Sequence, residues 1–376
     1  MNKTMKIVIA PDSFKGSLSA AQVAQAVAEG VNRVWPNAMA VLKPMADGGE
    51  GTLDACAVAL GARRQLRPVS DAEGRSIDAP ILFAQGDIAV IESAQIVGLP
   101  MISRSLVAER STIGVGQMLR HALDAGARRI MIGLGGTATN DGGVGLLAAL
   151  GVVLKDAAGH VLAPDLNSLA SFACVDWSQL DARLAGVELV IMSDVDNPLC
   201  GPDGATMTFG PQKGVRPDEL PHVDAALARW AQAGDARAGM ALSGEAGSGA
   251  AGGLGYALKL LGARCEAGAA EIADLIGLDD AIYGADWVIT GEGRSDAQTL
   301  RGKVPYEVSH RARAAGVPVT LLSGSLDRAS LAELAPLFGG CFSITDGPMT
   351  LASAIDDAHE LLANQGEQLA RIRSAW

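Results

Sequence analysis

Aromatic residues make up only 4% of this chain, and it holds just five His and five Cys. With so few rings, Leu, Val, Ile and Ala must fill whatever core forms. The cysteines (Cys56, Cys174, Cys200, Cys265, Cys341) are scattered and never form a C-x-x-C pair. A disulfide framework or a structural zinc site is therefore not expected. The histidines (His121, His160, His222, His310, His359) all fall on predicted helices or hairpins, away from the polar loops described below. Ser/His/Asp and His-metal mechanisms thus lack support. No stretch approaches the roughly 20 apolar residues of a membrane span. The first apolar run is short and is followed at once by Asp12 and Lys15, unlike a signal peptide. A soluble, cytoplasmic protein with no membrane partner is expected. Positive charge is scarce as well: 30 Lys plus Arg against 42 Asp plus Glu give a net charge of −12. That balance argues against a nucleic-acid partner. It leaves room for an anionic substrate, because local Lys, Arg and N–H groups can still form a positive pocket. A P-loop is missing too: Gly302-Lys303 is followed by Val304, and residue 297 is Ala.

What the chain does have is 46 Gly, many of them gathered with polar residues at the ends of apolar runs. Six stretches stand out. They are Asp12-Ser13-Phe14-Lys15-Gly16-Ser17, Asp47-Gly48-Gly49-Glu50-Gly51-Thr52 and the long run from Gly133 to Gly143. The other three are Ser193-Asp194-Val195-Asp196-Asn197-Pro198, Phe209-Gly210-Pro211-Gln212-Lys213-Gly214 and Gly291-Glu292-Gly293-Arg294-Ser295-Asp296. Glycine lets backbone N–H groups approach an anion, and carboxylates can hold Mg²⁺ or accept a proton. The mixture reads as a phosphoryl-transfer site built by several loops.

Periodicity places these loops. Lys6–Ala10 reads as a buried strand, Ser19–Val34 as a helix capped by Ser19, Ala40–Pro44 as a strand and Thr52–Leu60 as a helix. Arg64–Val69, Ile77–Phe83 and Ile88–Ile91 read as antiparallel strands separated by Glu73-Gly74 and Gln85-Gly86. A helix is expected over Ser105–Ala125, a strand over Arg129–Ile132, a helix over Gly143–Leu150 and a hairpin over Val152–Leu162. Glu188–Met192 then reads as a strand, and Pro221–Ala233 and Gly252–Leu261 as helices. The end repeats the style of the beginning: strands at Trp287–Thr290, Val317–Leu322 and Cys341–Thr345, helices at Val304–Ala315 and Ala352–Arg371. At 376 residues the chain exceeds the usual single core. The simplest architecture is α/β with two domains. A three-layer parallel-sheet domain takes residues 1–62 plus 286–376, and a mixed α/β domain, residues 63–285, is inserted in it. Two chain crossings of this kind are the setting for a hinge and a cleft.

Each loop has a chemical reading and a plainer one. Lys15 can bind phosphate or carboxylate as a point charge, or be a solvated loop lysine. Asp47 can act on a ligand, or simply cap the helix that follows; Gly48 and Gly49 imply close approach by a ligand or by another segment. Gly133-x-Gly135-x-x-Ala138 is a weak dinucleotide pattern, but Thr139-Asn140-Asp141-Gly142-Gly143 breaks the helix that a nicotinamide site requires. An N–H-rich loop here suits nucleotide phosphates as well. Asp194 and Asp196 would share one side of an extended strand, a fair Mg²⁺ pair, or form a turn before Pro198. Arg294 can clamp a carboxylate, and Asp296 can take a hydroxyl proton; the plainer reading is a surface ion pair.

In this order the loops resemble the bacterial glycerate kinase family, type I. The resemblance rests on Ala10-Pro11-Asp12-Ser13-Phe14-Lys15-Gly16, Ala46 to Thr52, Gly133 to Gly145 and Asp194 to Gly201. It continues through Phe209 to Gly214, Ala250 to Gly255 and Thr290 to Lys303. It implies ATP- and Mg²⁺-dependent phosphorylation of D-glycerate in glyoxylate, glucarate or galactarate breakdown. The 2-phosphate is favoured as product, though one branch of glycerate kinases gives the 3-phosphate. It also implies a flavodoxin-like fold for the terminal domain. The oligomeric state stays open, a homo-oligomer included.

With that substrate, the residues take expected roles. Lys15, with Ser13 and Arg294, would bind glycerate carboxylate or the transferring phosphoryl group, and Asp47 or Asp296 would be the hydroxyl base. Gly135, Gly136, Thr137, Asn140, Asp141 and Lys213 would hold ATP phosphates, and Asp194 and Asp196 would hold Mg²⁺. Two rivals remain: a non-catalytic two-domain sensor of hydroxy acids, and a nicotinamide-dependent dehydrogenase using the Gly133–Ala138 loop.

Overall fold

A computed structural model describes residues 4–84, 87–103 and 105–375; the expected Gln85-Gly86 turn lies outside them. The chain divides into two compact units. The first comprises Met1–Asp47, Gly51–Ala62 and Ala267–Trp376; the second comprises Gly48–Glu50 and Arg63–Glu266.

The first unit is built on five parallel strands, in the order Cys341–Ser343, Val319–Ser323, Trp287–Thr290, Lys6–Ile9, Met39–Leu42. Numbered along the chain, these five strands run 2-1-3-4-5 across the sheet, the flavodoxin-like order. Ile7, Val8 and Ile9 are wholly buried, and every residue of Trp287–Thr290 and Val319–Ser323 is buried too. Neighbouring strand residues face opposite ways, so both faces of the sheet are covered. On one face Ile7, Ile9, Trp287 and Ile289 meet Val23, Val27 and Val31 of helix Ala20–Val34 and Leu361 and Leu362 of helix Ala358–Ser374. Ser19 and Gln22 form a capping box that starts the first of these helices. Gly30 lets them cross closely: a Cβ there would stand 1.9 Å from the Ala363 carbonyl oxygen. Helix Val304–Ala314 packs against strands Trp287–Thr290 and Val319–Ser323. Two short helices, Gly268–Leu275 and Leu278–Ile282, also belong to this unit.

The second unit holds a six-stranded mixed sheet. Its order is Arg264–Glu266, Glu188–Met192, Arg129–Gly133, Ile88–Glu92, Ser76–Ala84, Arg64–Ser70. The first four are parallel, and Ser76–Ala84 pairs antiparallel with both its neighbours, Ile88–Glu92 and Arg64–Ser70, as expected for the 64–92 region. Four of the scarce aromatics meet in this core. Trp230, wholly buried, stacks with Trp177 and meets Phe172 and Tyr256 edge-on.

Four expectations are corrected. The helix placed over Ser105–Ala125 begins at Ile113, because the Thr112 N–H and hydroxyl both turn to the Asp141 carboxylate (2.8 Å each). The supposed loop 209–214 is mostly helix: Ala205–Lys213 ends at Gly214, which is left-handed at φ 96°. Val153–Lys155 pairs antiparallel with Cys174–Asp176, and touches its expected hairpin partner only through a single Lys155–Val161 bridge. The terminal helix is two, Leu351–Asp356 and Ala358–Ser374.

Candidate active site

In the first unit the polar loops gather at the carboxyl ends of the parallel strands, where open α/β sheets bind ligands. Strand Lys6–Ile9 runs on to Asp12, whose N–H donates to the Gly291 carbonyl oxygen (2.8 Å). The Thr290 hydroxyl donates to the Ala10 carbonyl oxygen (2.8 Å), and the Met45 N–H to that of Pro11 (2.9 Å). Three chain segments are thereby tied together beyond their strands. Gly291 is needed for this: a Cβ would stand 1.7 Å from the Leu322 carbonyl oxygen.

Asp12 is 6% exposed, and its Oδ1 accepts the Ser13 N–H at 2.6 Å. Burial raises its carboxyl most, and the charge of Asp47 and, less strongly, that of Glu292 raise it further. The Ser13 N–H and Lys15 pull it down, and the balance sits at about 7. Glu292 is buried as well, which pushes its carboxyl up against the opposing bonds from the Thr299 hydroxyl (2.6 Å) and the Ser295 hydroxyl (3.0 Å). Lys15 is exposed and Ser13 half-buried. Arg294 is also exposed and lies 3.6 Å from Asp296, whose other oxygen accepts the Gln298 N–H (2.8 Å). Asp47 is half-buried; the following helix, Thr52–Leu60, is capped by Gly51, so Asp47 is not its cap.

The second unit carries the other candidates. Gly48 and Gly49 are explained by chain, not ligand. A Cβ on Gly48 would meet the Met192 carbonyl oxygen at 2.5 Å, and one on Gly135 would meet Gly49 Cα at 2.7 Å. The loop from Leu134 to Gly143 is pinned from several sides. The Ala138 N–H donates to the Val97 carbonyl oxygen (2.8 Å), and the Leu99 N–H to that of Gly136 (3.0 Å). Lys213 is buried and donates to the Thr139 carbonyl oxygen (2.7 Å). Arg110 donates to the carbonyl oxygens of Ala138 (3.1 Å) and Lys213 (2.8 Å). Burial pushes the Lys213 ammonium down to about 7, against the pull of Asp141 and with a further push from Arg110.

Asp141 is fully buried. Its carboxylate accepts from the backbone of Thr112 (2.8 Å), Gly143 (3.0 Å) and Gly145 (3.3 Å) and from the Thr112 hydroxyl. Burial raises it and these bonds oppose the rise. Asp141 and Lys213 thus hold the loop from within, while Gly136 is exposed and Gly135 half-buried. The Asn140 amide donates to the Thr206 hydroxyl (2.9 Å), but the buried Thr139 Oγ1 and Asn140 Oδ1 have no hydrogen-bond partner. Thr137 is buried beside them.

Asp194 and Asp196 follow strand Glu188–Met192, and both are exposed. Both charges bear on the Cys265 thiol, which burial and its acidic neighbours push up against the pull of Lys259. Among the described residues no group of three or more His, Cys, Asp or Glu could hold a metal.

A family model described as the glycerate kinase family matches residues 7–374. The chain belongs to the glycerate kinase family. It is 40% identical to a glycerate kinase of Bacillus subtilis over 371 residues, 97% of each chain. It is 39% identical to a glycerate 2-kinase of Escherichia coli over 327 residues, 86% of each. A crystal structure assigned to glycerate kinase 2 from Salmonella typhimurium LT2 superposes with a TM-score of 0.88, at 39% identity and 99% coverage of both chains. A member of this kinase family is an enzyme acting on a small molecule, so the sensor and dehydrogenase rivals fall. No helix among the described residues is long and apolar enough to cross a membrane.

Sequence reasoning named Asp12 and Glu292 only as loop members and gave neither a role in this glycerate kinase family site. Both follow apolar strands within three residues, and both are buried.

Proposed function

We propose that this enzyme transfers the γ-phosphoryl group of ATP to a hydroxyl of D-glycerate, with 2-phosphoglycerate favoured over the 3-phosphate. The observation that carries the reading is the cluster at the strand ends of the first unit. It sets the cations Lys15 and Arg294 among carboxyls of which Asp12 is held near neutrality. Phosphoryl transfer needs positioning and charge stabilisation more than covalent chemistry. Lys15, with Ser13 and Arg294, would hold the acceptor's carboxylate or the moving phosphoryl group. Asp47 and Asp296 stand beside them as carboxylates able to receive a hydroxyl proton.

Asp194 and Asp196 fit Mg²⁺ by their hard oxygen donors, and the ion when bound would neutralise polyphosphate charge. Backbone N–H groups at Gly135, Gly136 and Thr137, and the unpartnered Thr139 hydroxyl, fit phosphate oxygens, whereas the unpartnered Asn140 oxygen can only accept, as from a water beside them. Asp141 and Lys213 would act on that loop by shaping it. Residues 1–62 plus 286–376 and residues 63–285 would then be the two domains of a cytoplasmic enzyme of organic acid breakdown, fed from glyoxylate, glucarate or galactarate.

Phosphorus NMR of the product made from D-glycerate and ATP tests both parts of the reading. A resonance of 2-phosphoglycerate is expected; the 3-phosphate would move the transfer to the other hydroxyl, and no phosphoglycerate at all would overturn the reading.

A further inference from the structure

We propose that Asp12 is the catalytic residue that takes the proton of the acceptor hydroxyl. The inference rests on the kinase reading above and names its base. As the hydroxyl oxygen bonds to the γ-phosphorus, the O–H bond breaks and the proton passes to Asp12 Oδ2. The bond from phosphorus to the bridging oxygen breaks, and its electron pair leaves with the nucleoside diphosphate.

Position comes first. Strand Lys6–Ile9 has Met39–Leu42 on one side and Trp287–Thr290 on the other, so the sheet order reverses at its carboxyl end. That reversal is where a doubly wound sheet opens a crevice for its ligand. Asp12 stands there, with its backbone fixed to Gly291. Its side chain still has an acceptor to offer. Oδ1 takes the Ser13 N–H, and among the described residues no other hydrogen bond reaches this carboxyl. Oδ2 is not one of the buried oxygens stranded without a partner, so the 6% of Asp12 that stays exposed leaves this oxygen reachable by a ligand.

The other acids are more heavily bonded than Asp12, which accepts a single N–H. Glu292 Oε1 receives two hydroxyls. Asp296 caps the Gln298 N–H with one oxygen and faces Arg294 with the other. Asp47 is one of the charges that acts on Asp12. The ionisable groups facing Asp12 are Asp47 from the segment after strand Met39–Leu42, Glu292 from the turn after Trp287–Thr290, and Lys15 from its own turn. Burial and the two acids outweigh the Ser13 N–H and Lys15 and leave a base poised near neutral pH, where a general base works best.

The test is the pH profile of kcat/KM for D-glycerate with saturating ATP, for the full chain and for Asp12→Asn, Asp12→Glu and Asp47→Asn. The natural protein should show a limb rising with pH near 7. Asp12→Asn should lose activity by roughly 10²–10⁴-fold, the usual worth of a general base, and lose the limb with it. Asp12→Glu should recover part of the rate. Asp47→Asn should move the limb to lower pH, because one of the charges opposing ionisation is gone. If Asp12→Asn keeps the limb and most of the rate, or if Asp47→Asn abolishes the limb instead of moving it, the assignment is wrong and the kinase reading stands. If the natural protein makes no phosphoglycerate, it is the kinase reading that fails.

Discussion

Ionising a carboxyl that is 6% exposed and faces two other acids costs free energy that the fold must supply. The sign follows from linkage. The folded chain holds the Asp12 proton more tightly than the unfolded chain, whose carboxyl titrates near 3.8. The contribution of Asp12 to stability is therefore greatest below about pH 4, falls as pH rises towards 7, and is flat above. A rise from 3.8 to about 7 corresponds to an upper bound of about 4 kcal/mol. Asp12→Asn keeps an oxygen for the Ser13 N–H and removes the charge. It should therefore stabilise the protein by up to about 4 kcal/mol at pH 8 and by almost nothing at pH 4. Urea midpoints at the two pH values check this; equal midpoints for the variant and the natural protein at pH 8 would show that Asp12 is not strained in the fold. Loss of rate with gain of stability is the mark of a site residue, and a packing residue would lose both.

Among the elements, Asp141 is the joint of the second unit. Its carboxylate receives the N–H of Thr112, before helix Ile113–Asp124, and those of Gly143 and Gly145 at the start of helix Val144–Ala149. A carboxylate at two helix N-termini answers both dipoles and satisfies donors that helices leave open. Asp141→Ala would strand these buried donors together with the Thr112 hydroxyl, at about 1–3 kcal/mol each. Such a loss is comparable with the whole stability of a domain, and the second unit should fail to unfold cooperatively in a urea titration. A midpoint unchanged by the substitution would leave the joint without function.

This contact also marks where sequence reading stops. Period and capping residues located every strand of the two large sheets except Arg264–Glu266, because apolar runs bounded by Gly, Pro and Asp encode them locally and that three-residue strand has no such run. Strand Glu188–Met192 and helix Thr52–Leu60 agree to the residue. The start of the helix at Ile113 was not legible, since the group that sets it lies 29 residues away in Asp141. Helix Ala205–Lys213 hid behind Gly210 and Pro211, which read as loop because a proline inside a helix removes an i to i−4 hydrogen bond and ordinarily breaks it. The six polar loops were legible as chemistry. Which of their residues turn inward was not, because Lys15 and Lys213 look alike in sequence, yet one is exposed and the other 4% exposed.

For the whole molecule, the consequence lies in chain order. The sheet of the first unit takes two strands from the beginning of the chain and three from the end, with Lys6–Ile9 between Met39–Leu42 and Trp287–Thr290. Every strand of the second unit's sheet lies between Arg64 and Glu266. The second unit can thus complete its core from one continuous stretch, whereas the first depends on its last helix. Helix Ala358–Ser374 buries Leu361, Leu362 and Leu369. At about 1.5–3 kcal/mol each these three contribute on the order of 5–9 kcal/mol, most of the margin of a typical domain. Removing residues 351–376 should therefore melt the first unit and leave the second folded. Hydrogen exchange would show amides of Arg129–Gly133 and Glu188–Met192 still protected while those of Lys6–Ile9 and Trp287–Thr290 exchange freely. Phosphoryl transfer should vanish with them, since Asp12, Lys15 and Arg294 lose the strand ends that carry them. Protection of Lys6–Ile9 in the shortened chain, or turnover by it, would mean that the terminal helix is ornament on a sheet that stands without it.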